Sequence, residues 1–268
     1  MRVAVLQMVS MTQCQANLDA ARRLLAQAST AGAELAVLPE YFCLMGQKDT
    51  DKLDIAEAPG QGPVQDFLSQ CARQLKLWIV GGTVPLRAPD DRHVYNSSLV
   101  YAPSGQCVAR YDKIHLFRFD SGAEQYDESR VIEAGATPVT FDLPSADGQT
   151  YRVGLSVCYD LRFPELYRAM KADLLLVPSA FTWTTGQAHW EVLLRARAIE
   201  NLAYVLAAAQ GGTHENGRRT WGQSMVVDPW GQVLAQHAQG PALVLADVER
   251  EGLNARRAQL PALNHGVL

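Results

Sequence analysis

Short apolar runs, each too brief for a buried helix and each parted from the next by an amphipathic stretch, recur along this chain and restrict the folds open to it. Val3 to Met8 is the first, and Leu18, Ala21, Leu25 and Ala28 follow at helical spacing before Gly32. Leu35 to Leu38 is the second run and leads into Pro39-Glu40. Gly62-Pro63 then opens a helix with Val64, Phe67, Leu68, Cys71 and Leu75 on one face. Pro63 suits a first helical turn, where its missing N–H would have had no partner. Leu77 to Val80 is a third strand, stopped by Gly81-Gly82. Val153–Val157, Leu174–Val177 and Tyr204–Ala209 repeat the pattern. A helix-like stretch separates the first two. A helix over about 187–202, with Val192, Ala196, Ile199 and Ala203 marking its face, precedes the third.

Antiparallel hairpins interrupt this alternation. Ser97–Tyr101 and Cys107–Tyr111 flank Ala-Pro-Ser-Gly, and Ser224–Val227 and Val233–Gln236 flank Asp228-Pro229-Trp230-Gly231, before a last strand at Leu243–Asp247. Residues 112–136 are polar and irregular, and a loop of that length in a compact domain usually carries function. No linker, repeat or low-complexity tract divides the chain. We therefore expect one α/β domain over residues 1–268, built on a mixed sheet or on two sheets.

Composition excludes several classes of protein. A hydrophobic fraction of 48% is too high for a disordered chain. A net charge of −4, with the arginine pairs at 22–23, 195/197, 218–219 and 256–257 scattered, argues against a nucleic-acid partner. No apolar run approaches the roughly 18–20 residues of a membrane span, and the N-terminus lacks the features of a signal peptide. Five cysteines (Cys14, Cys43, Cys71, Cys107 and Cys158) include no C-x-x-C pair, and the six histidines form no H-x₃₋₅-H pair. We expect reduced thiols in a cytoplasmic protein, with no disulfide scaffold, metal or cofactor.

Three predicted strands end on reactive groups. Leu35–Leu38 runs into Glu40, Val108–Tyr111 into Lys113, and Val153–Val157 into Cys158. Active sites of α/β folds gather at such carboxyl ends. A thiol on a strand-to-turn bend faces outward beside backbone N–H groups, although a cysteine after an apolar strand is more often a core residue. Glu40 alone would pass for a strand-end charge and Lys113 for a surface lysine. Together the three offer a base, a cation and a nucleophile, which is a complete set for acyl transfer. Ser156 lacks the final glycine of a serine-hydrolase elbow, and the glycine pairs at 81–82 and 211–212 have no phosphate-loop spacing. A Cys-His hydrolase using His115 or His189 remains open on the residues alone.

Leu-Pro-Glu40-Tyr-Phe, Tyr-Asp-Lys113-Ile-His-Leu-Phe and Val-Cys158-Tyr-Asp-Leu-Arg-Phe-Pro-Glu165 resemble, in order, the three signature blocks of the nitrilase superfamily, the carbon–nitrogen hydrolases. The stretches from Pro178 to Phe181, Thr184 to Glu200 and Trp221 to Gly231 resemble the branch of deaminated-glutathione amidase and ω-amidase. The resemblance implies a four-layer α-β-β-α sandwich of the nitrilase type and subunits that pair through a helical layer, as a homodimer or larger oligomer. It implies that Cys158 attacks an amide carbonyl, that Glu40 shuttles protons, and that Lys113 and the Tyr159 N–H hold the oxyanion of a thioester-forming reaction. It implies a second glutamate, Glu128 or its rival Glu124. The substrate is expected to be a small amide, deaminated glutathione first, α-ketoglutaramate as the alternative, with a catalytically silent interaction protein as the contrary reading. Arg162 and Phe181 are the candidate substrate-binding residues. Arg162 would grip a carboxylate or else brace the turn by pairing with Glu165 or Asp160.

Overall fold

Strand residues buried on both sides build the centre of the molecule, described by a computed structural model over residues 1–122 and 125–267. One sheet runs, in spatial order, through Ala242–Asp247, Arg2–Gln7, Leu35–Val37, Trp78–Val80, Val94–Tyr101 and Val84–Arg87, with Cys107–Asp112 and Ile132–Glu133 also paired to the Val94–Tyr101 strand. The second runs through Thr140–Pro144, Thr150–Leu155, Leu174–Leu176, Tyr204–Ala207, Ser224–Val227 and Val233–His237. In each sheet the three strands of the repeating pattern are parallel: 2–7, 35–37 and 78–80 in the first, 150–155, 174–176 and 204–207 in the second.

Alternation along each strand divides its side chains between two cores. Val3, Val5, Leu35, Val37, Val80 and Val100 join the core shared with the second sheet. Their neighbours Ala4, Leu6, Ala36, Leu38, Ile79 and Leu99 pack instead with the helices Cys14–Thr30 and Pro63–Leu75. A strand covered on both faces must be apolar at every position, which is why the sequence shows runs rather than alternation. The helices Pro164–Met170 and Trp183–Asn201 cover the far side of the second sheet. The result is the expected α-β-β-α sandwich.

The Trp183–Asn201 helix differs from its expected face. Trp190, Leu194 and Ala198, spaced by four, are fully buried, whereas Val192 is 68% and Ile199 46% exposed. A tryptophan anchors the true stripe, its Nε1 donating to the Gln223 carbonyl at 2.8 Å. Arg197 occupies a buried position beside it, donating to the Leu161 carbonyl and lying over the Tyr167 ring, so apolarity alone misplaces the face. The strands Val84–Arg87 and Thr140–Pro144, the small hairpin Gly211–Thr213/Arg219–Trp221 and the helix Arg250–Gln259 escape the sequence pattern altogether. Each is short or strongly polar.

Carboxyl ends of the two parallel sets meet. The Met8 N–H reaches the Ala209 carbonyl at 3.4 Å and the Gly211 N–H the Met8 carbonyl at 2.8 Å, joining the sheets where the chain leaves them. Gly82, at φ +47°, lies against the turn after the 35–37 strand, and a Cβ there would stand 2.0 Å from the Pro39 carbonyl oxygen. Only glycine lets that turn close.

Trp190→Ala should cost about 3–5 kcal/mol through the cavity it leaves. Urea titration measures this, and a loss below about 1 kcal/mol would show the stripe to be misassigned.

Candidate active site

Three chain segments deliver Glu40, Lys113 and Cys158 to one point, each just beyond the strand that the sequence predicts. Glu40 follows the turn after Leu35–Val37 and is 1% exposed. Its Oε1 accepts from Asn96 Nδ2 and from Lys113 Nζ, both at 2.9 Å, and its Oε2 accepts from the Ala180 N–H at 2.9 Å. Lys113, fully buried, follows the hairpin strand Cys107–Asp112 and donates to Glu40 and to Glu128, whose two oxygens lie 2.9 and 2.8 Å away. Burial disfavours the ammonium, but the two carboxylates outweigh it and hold the lysine pKa well above its usual value. Glu128 is likewise resisted by burial and carried below the carboxylate range by Lys113, with the Phe117 N–H and the Tyr41 hydroxyl as further donors at 2.7 and 2.8 Å. Of the two rival glutamates, then, Glu128 meets the lysine, and Glu124 lies outside the described residues.

Cys158 opens a 3₁₀ turn, Cys158–Arg162, directly after the 150–155 strand and the two residues that follow it. Its backbone sits at φ +51°, a conformation that L side chains adopt at a cost and that recurs at functional turns. Tyr41, next to Glu40, has φ +57°. The turn is held by Asp160, a fully buried carboxylate that accepts from the Val157 N–H at 2.8 Å, the Tyr111 hydroxyl at 2.7 Å and the His115 N–H at 3.0 Å. His115 Nδ1 approaches the same oxygen at 2.7 Å, and its ring stacks on Phe163 with centroids 3.6 Å apart. Asp160 therefore ties the Cys158 turn to the segment that carries Lys113. Nothing in the sequence marks it beyond its place in the cysteine block.

Burial pushes the Cys158 thiol well above its usual pKa and the Glu40 charge pushes it further, while Lys113 pulls it back. Burial and the Glu40 charge thus favour the thiol over the thiolate. The charges acting on it are those of Glu40, Lys113 and Glu128. His115 faces Asp160 and His189 faces Arg162, so a Cys-His arrangement loses its support. Ser156 is fully buried and bonded to Tyr167 and to the Leu176 carbonyl. The other cysteines form no disulfide, and none of them is among the groups bonded to Glu40, Lys113 or Glu128.

The recess over Cys158 is walled by Phe117, Tyr159, Ala180, Phe181, Thr182 and Thr185. Phe181, 4% exposed, is backed by Trp190 at 5.0 Å, and the Tyr159 ring meets Phe117 edge-on at 5.2 Å. Arg162 lies over both Tyr159 and Phe181, with its guanidinium carbon 5.7 and 5.4 Å from their centroids. Its Nη1 is 3.2 Å from His189 Nδ1, and no carboxylate among the described residues pairs with it. The brace to Glu165 or Asp160 is thus replaced by two aromatic walls of the recess. Among the described residues no group of histidine, cysteine and acidic side chains is arranged to hold a metal ion, and no helix is long and apolar enough to cross a membrane.

The profile of the carbon–nitrogen hydrolases matches residues 2–258. The chain is a carbon–nitrogen hydrolase. Among curated proteins it is 42% identical to the deaminated glutathione amidase of Synechocystis, over 98% of this chain and 97% of that one. Among solved structures, the hydrolase superposes on the NitFhit protein of Caenorhabditis elegans with a TM-score of 0.90 at 37% identity, covering 99% of this chain and 65% of that longer one. It also superposes on a glutamate-to-glutamine mutant of an amidase from Nesterenkonia, solved after Michael addition of acrylamide at the active site cysteine. That match has a TM-score of 0.78 at 29% identity, covering 97% of this chain and 98% of that one.

The electrostatics set the sign of two pH effects. Removing the Glu40 charge takes away a push that keeps the hydrolase's thiol protonated, so Glu40→Gln should lower the pH at which Cys158 is half-maximally alkylated. Lys113→Met removes the opposing pull and should raise it. Iodoacetamide labelling followed by mass spectrometry gives both midpoints, and shifts of the same sign would contradict this account.

Proposed function

We propose that this carbon–nitrogen hydrolase cleaves its amide through Cys158, with Glu40 moving protons and Lys113 and the Tyr159 N–H stabilising the oxyanion. One observation carries the reading: a fully buried ammonium held between two carboxylates and acting on the thiol, at the floor of a recess. Cys158 Sγ attacks the carbonyl carbon while its proton passes to Glu40. Of the three donors on Lys113, two go to Glu40 and Glu128, leaving one for the oxygen that becomes negative. Glu40 then protonates the departing nitrogen, the C–N bond breaks, and an acyl thioester remains on Cys158. Water enters, gives its proton to Glu40 and attacks the thioester; the sulfur leaves and recovers the proton. Glu128 keeps Lys113 charged and oriented and exchanges no proton.

For substrate we infer deaminated glutathione, hydrolysed to 2-oxoglutarate and cysteinylglycine. The name of the Synechocystis relative, at 42% identity over nearly the whole length of both chains, supports this over the smaller ω-amide α-ketoglutaramate. Arg162, beside the Tyr159 and Phe181 walls and free of any carboxylate partner among the described residues, is available to grip the oxo-acid carboxylate in two parallel hydrogen bonds, which lysine cannot make. Five cysteines with no disulfide suit a cytoplasmic enzyme. An apolar surface suits pairing with a second copy through the helical layer. Val192, Ile199, Trp230 and Leu234 are all at least 40% exposed, and Ile199 packs against Gly231, next to Trp230.

Release of cysteinylglycine from deaminated glutathione and of ammonia from α-ketoglutaramate tests the assignment. Cys158→Ala should abolish both with the fold retained, Glu40→Gln and Lys113→Met should each lose about a hundredfold or more, and Arg162→Lys should raise KM. Substantial turnover by the alanine variant would overturn the nucleophile, and wild-type protein inert toward deaminated glutathione would overturn the substrate. For the assembly, Val192→Glu should shift sedimentation at micromolar concentration from dimer to monomer; a wild-type monomer would refute the pairing.

A further inference from the structure

The two oxygens of the Glu40 carboxylate are not equivalent. Each carboxylate oxygen offers about two lone pairs to donors. On Oε1 both are taken, by Asn96 Nδ2 and by Lys113 Nζ, each at 2.9 Å. Oε2 accepts from one donor among the described residues, the Ala180 N–H, also at 2.9 Å. A proton on Oε1 would meet the hydrogens of a buried ammonium and a buried amide. It would break one of those bonds and leave a donor unpaired away from water. A proton on Oε2 takes the open lone pair and displaces nothing.

Oε2 is also the oxygen on the Cys158 side. Ala180 walls the recess over Cys158. Burial does most to raise the Cys158 pKa, and the Ala180 N–H, as a hydrogen-bond donor to that group, acts against it. The donor that marks Oε2 therefore reaches the sulfur as well. Cys158 is fastened to the same segment, its own N–H donating to the Pro178 carbonyl at 3.0 Å.

Asn96 is what makes the two oxygens differ. It is 3% exposed, in the strand Val94–Tyr101, where it pairs with Pro85 of the next strand. Its backbone carbonyl accepts from the Lys113 N–H at 3.1 Å while its side-chain amide donates to Glu40, so one residue sets Glu40 against Lys113. An ionised carboxylate only accepts, which requires the amide nitrogen to face it. Asn96 does not wall the recess over Cys158. We propose that Asn96 is a positioning residue: with Lys113 it fills Oε1, holds Oε2 toward Cys158 and makes that oxygen the one that exchanges protons. This rests on the catalytic reading above, in which Glu40 carries protons. The S–H bond breaks as the Oε2–H bond forms, and the Oε2–H bond breaks as the departing nitrogen takes the proton. Lys113 keeps its three protons throughout.

The test is a double-mutant cycle on kcat/KM, with whichever of deaminated glutathione and α-ketoglutaramate the protein cleaves faster. Asn96→Leu and Asn96→Val remove the donor without adding a polar group. Each should lose about tenfold or more in the otherwise wild-type protein, because a misdirected base misses its proton. In a Glu40→Gln background the same substitutions should change the rate by less than about twofold, since no base remains for Asn96 to aim. A residue that only supports the fold would cost the same factor in both backgrounds. Thermal melting identifies a variant that has not folded, and the other then carries the test. Undiminished activity of the Asn96 variants, or equal losses in both backgrounds, would overturn the positioning role and leave the reading of Glu40 standing. Glu40→Gln protein that keeps more than about a tenth of wild-type turnover would overturn Glu40 as proton carrier, and this inference with it.

Discussion

A lysine ammonium removed from water and set between two carboxylates is the interaction on which the rest of this molecule turns. An isolated buried charge would cost many kcal/mol, and the Lys113 charge survives because Glu40 and Glu128 approach it at 2.8–2.9 Å. Each carboxylate is then finished by other donors: Asn96 and the Ala180 N–H on Glu40, Tyr41 and the Phe117 N–H on Glu128. The whole cluster, with Lys113 and the two glutamates, draws on five separate parts of the chain, at 40–41, 96, 113–117, 128 and 180. The cluster can form only when both sheets are closed on one another, so fold and site are a single requirement.

Much of this was legible in the sequence because the fold buries strands on both faces. Such strands become unbroken apolar runs, and a run that ends abruptly on Glu40, Lys113 or Cys158 shows where the sheet stops and chemistry can begin. Glu128 was legible only by resemblance, since it lies in the irregular 112–136 segment, where no periodicity distinguishes one acid from another.

The misread helix is instructive for a related reason. Along Trp183–Asn201 a pattern drawn through Val192 and Ile199 is as regular as one drawn through Trp190, Leu194 and Ala198. Helical period therefore gives two faces, and only the packing partner chooses between them. The second sheet takes the tryptophan stripe with Arg197 beside it, leaving Val192 and Ile199 exposed. Apolar residues left open in this way satisfy the period of the sequence without belonging to the core.

The proposed base and nucleophile hang from different sheets. Glu40 follows a strand of one and Cys158 a strand of the other, and the apolar interface between those sheets sets the gap that the proposed proton transfer would cross. Side chains such as Val5, Val37 and Val153 thus act as spacers in a measuring gauge, far from any reacting atom. A change in their thickness of a few tenths of an ångström would scarcely register as lost stability, yet would alter the distance on which proton transfer depends. In this architecture turnover is a finer ruler of core packing than melting temperature.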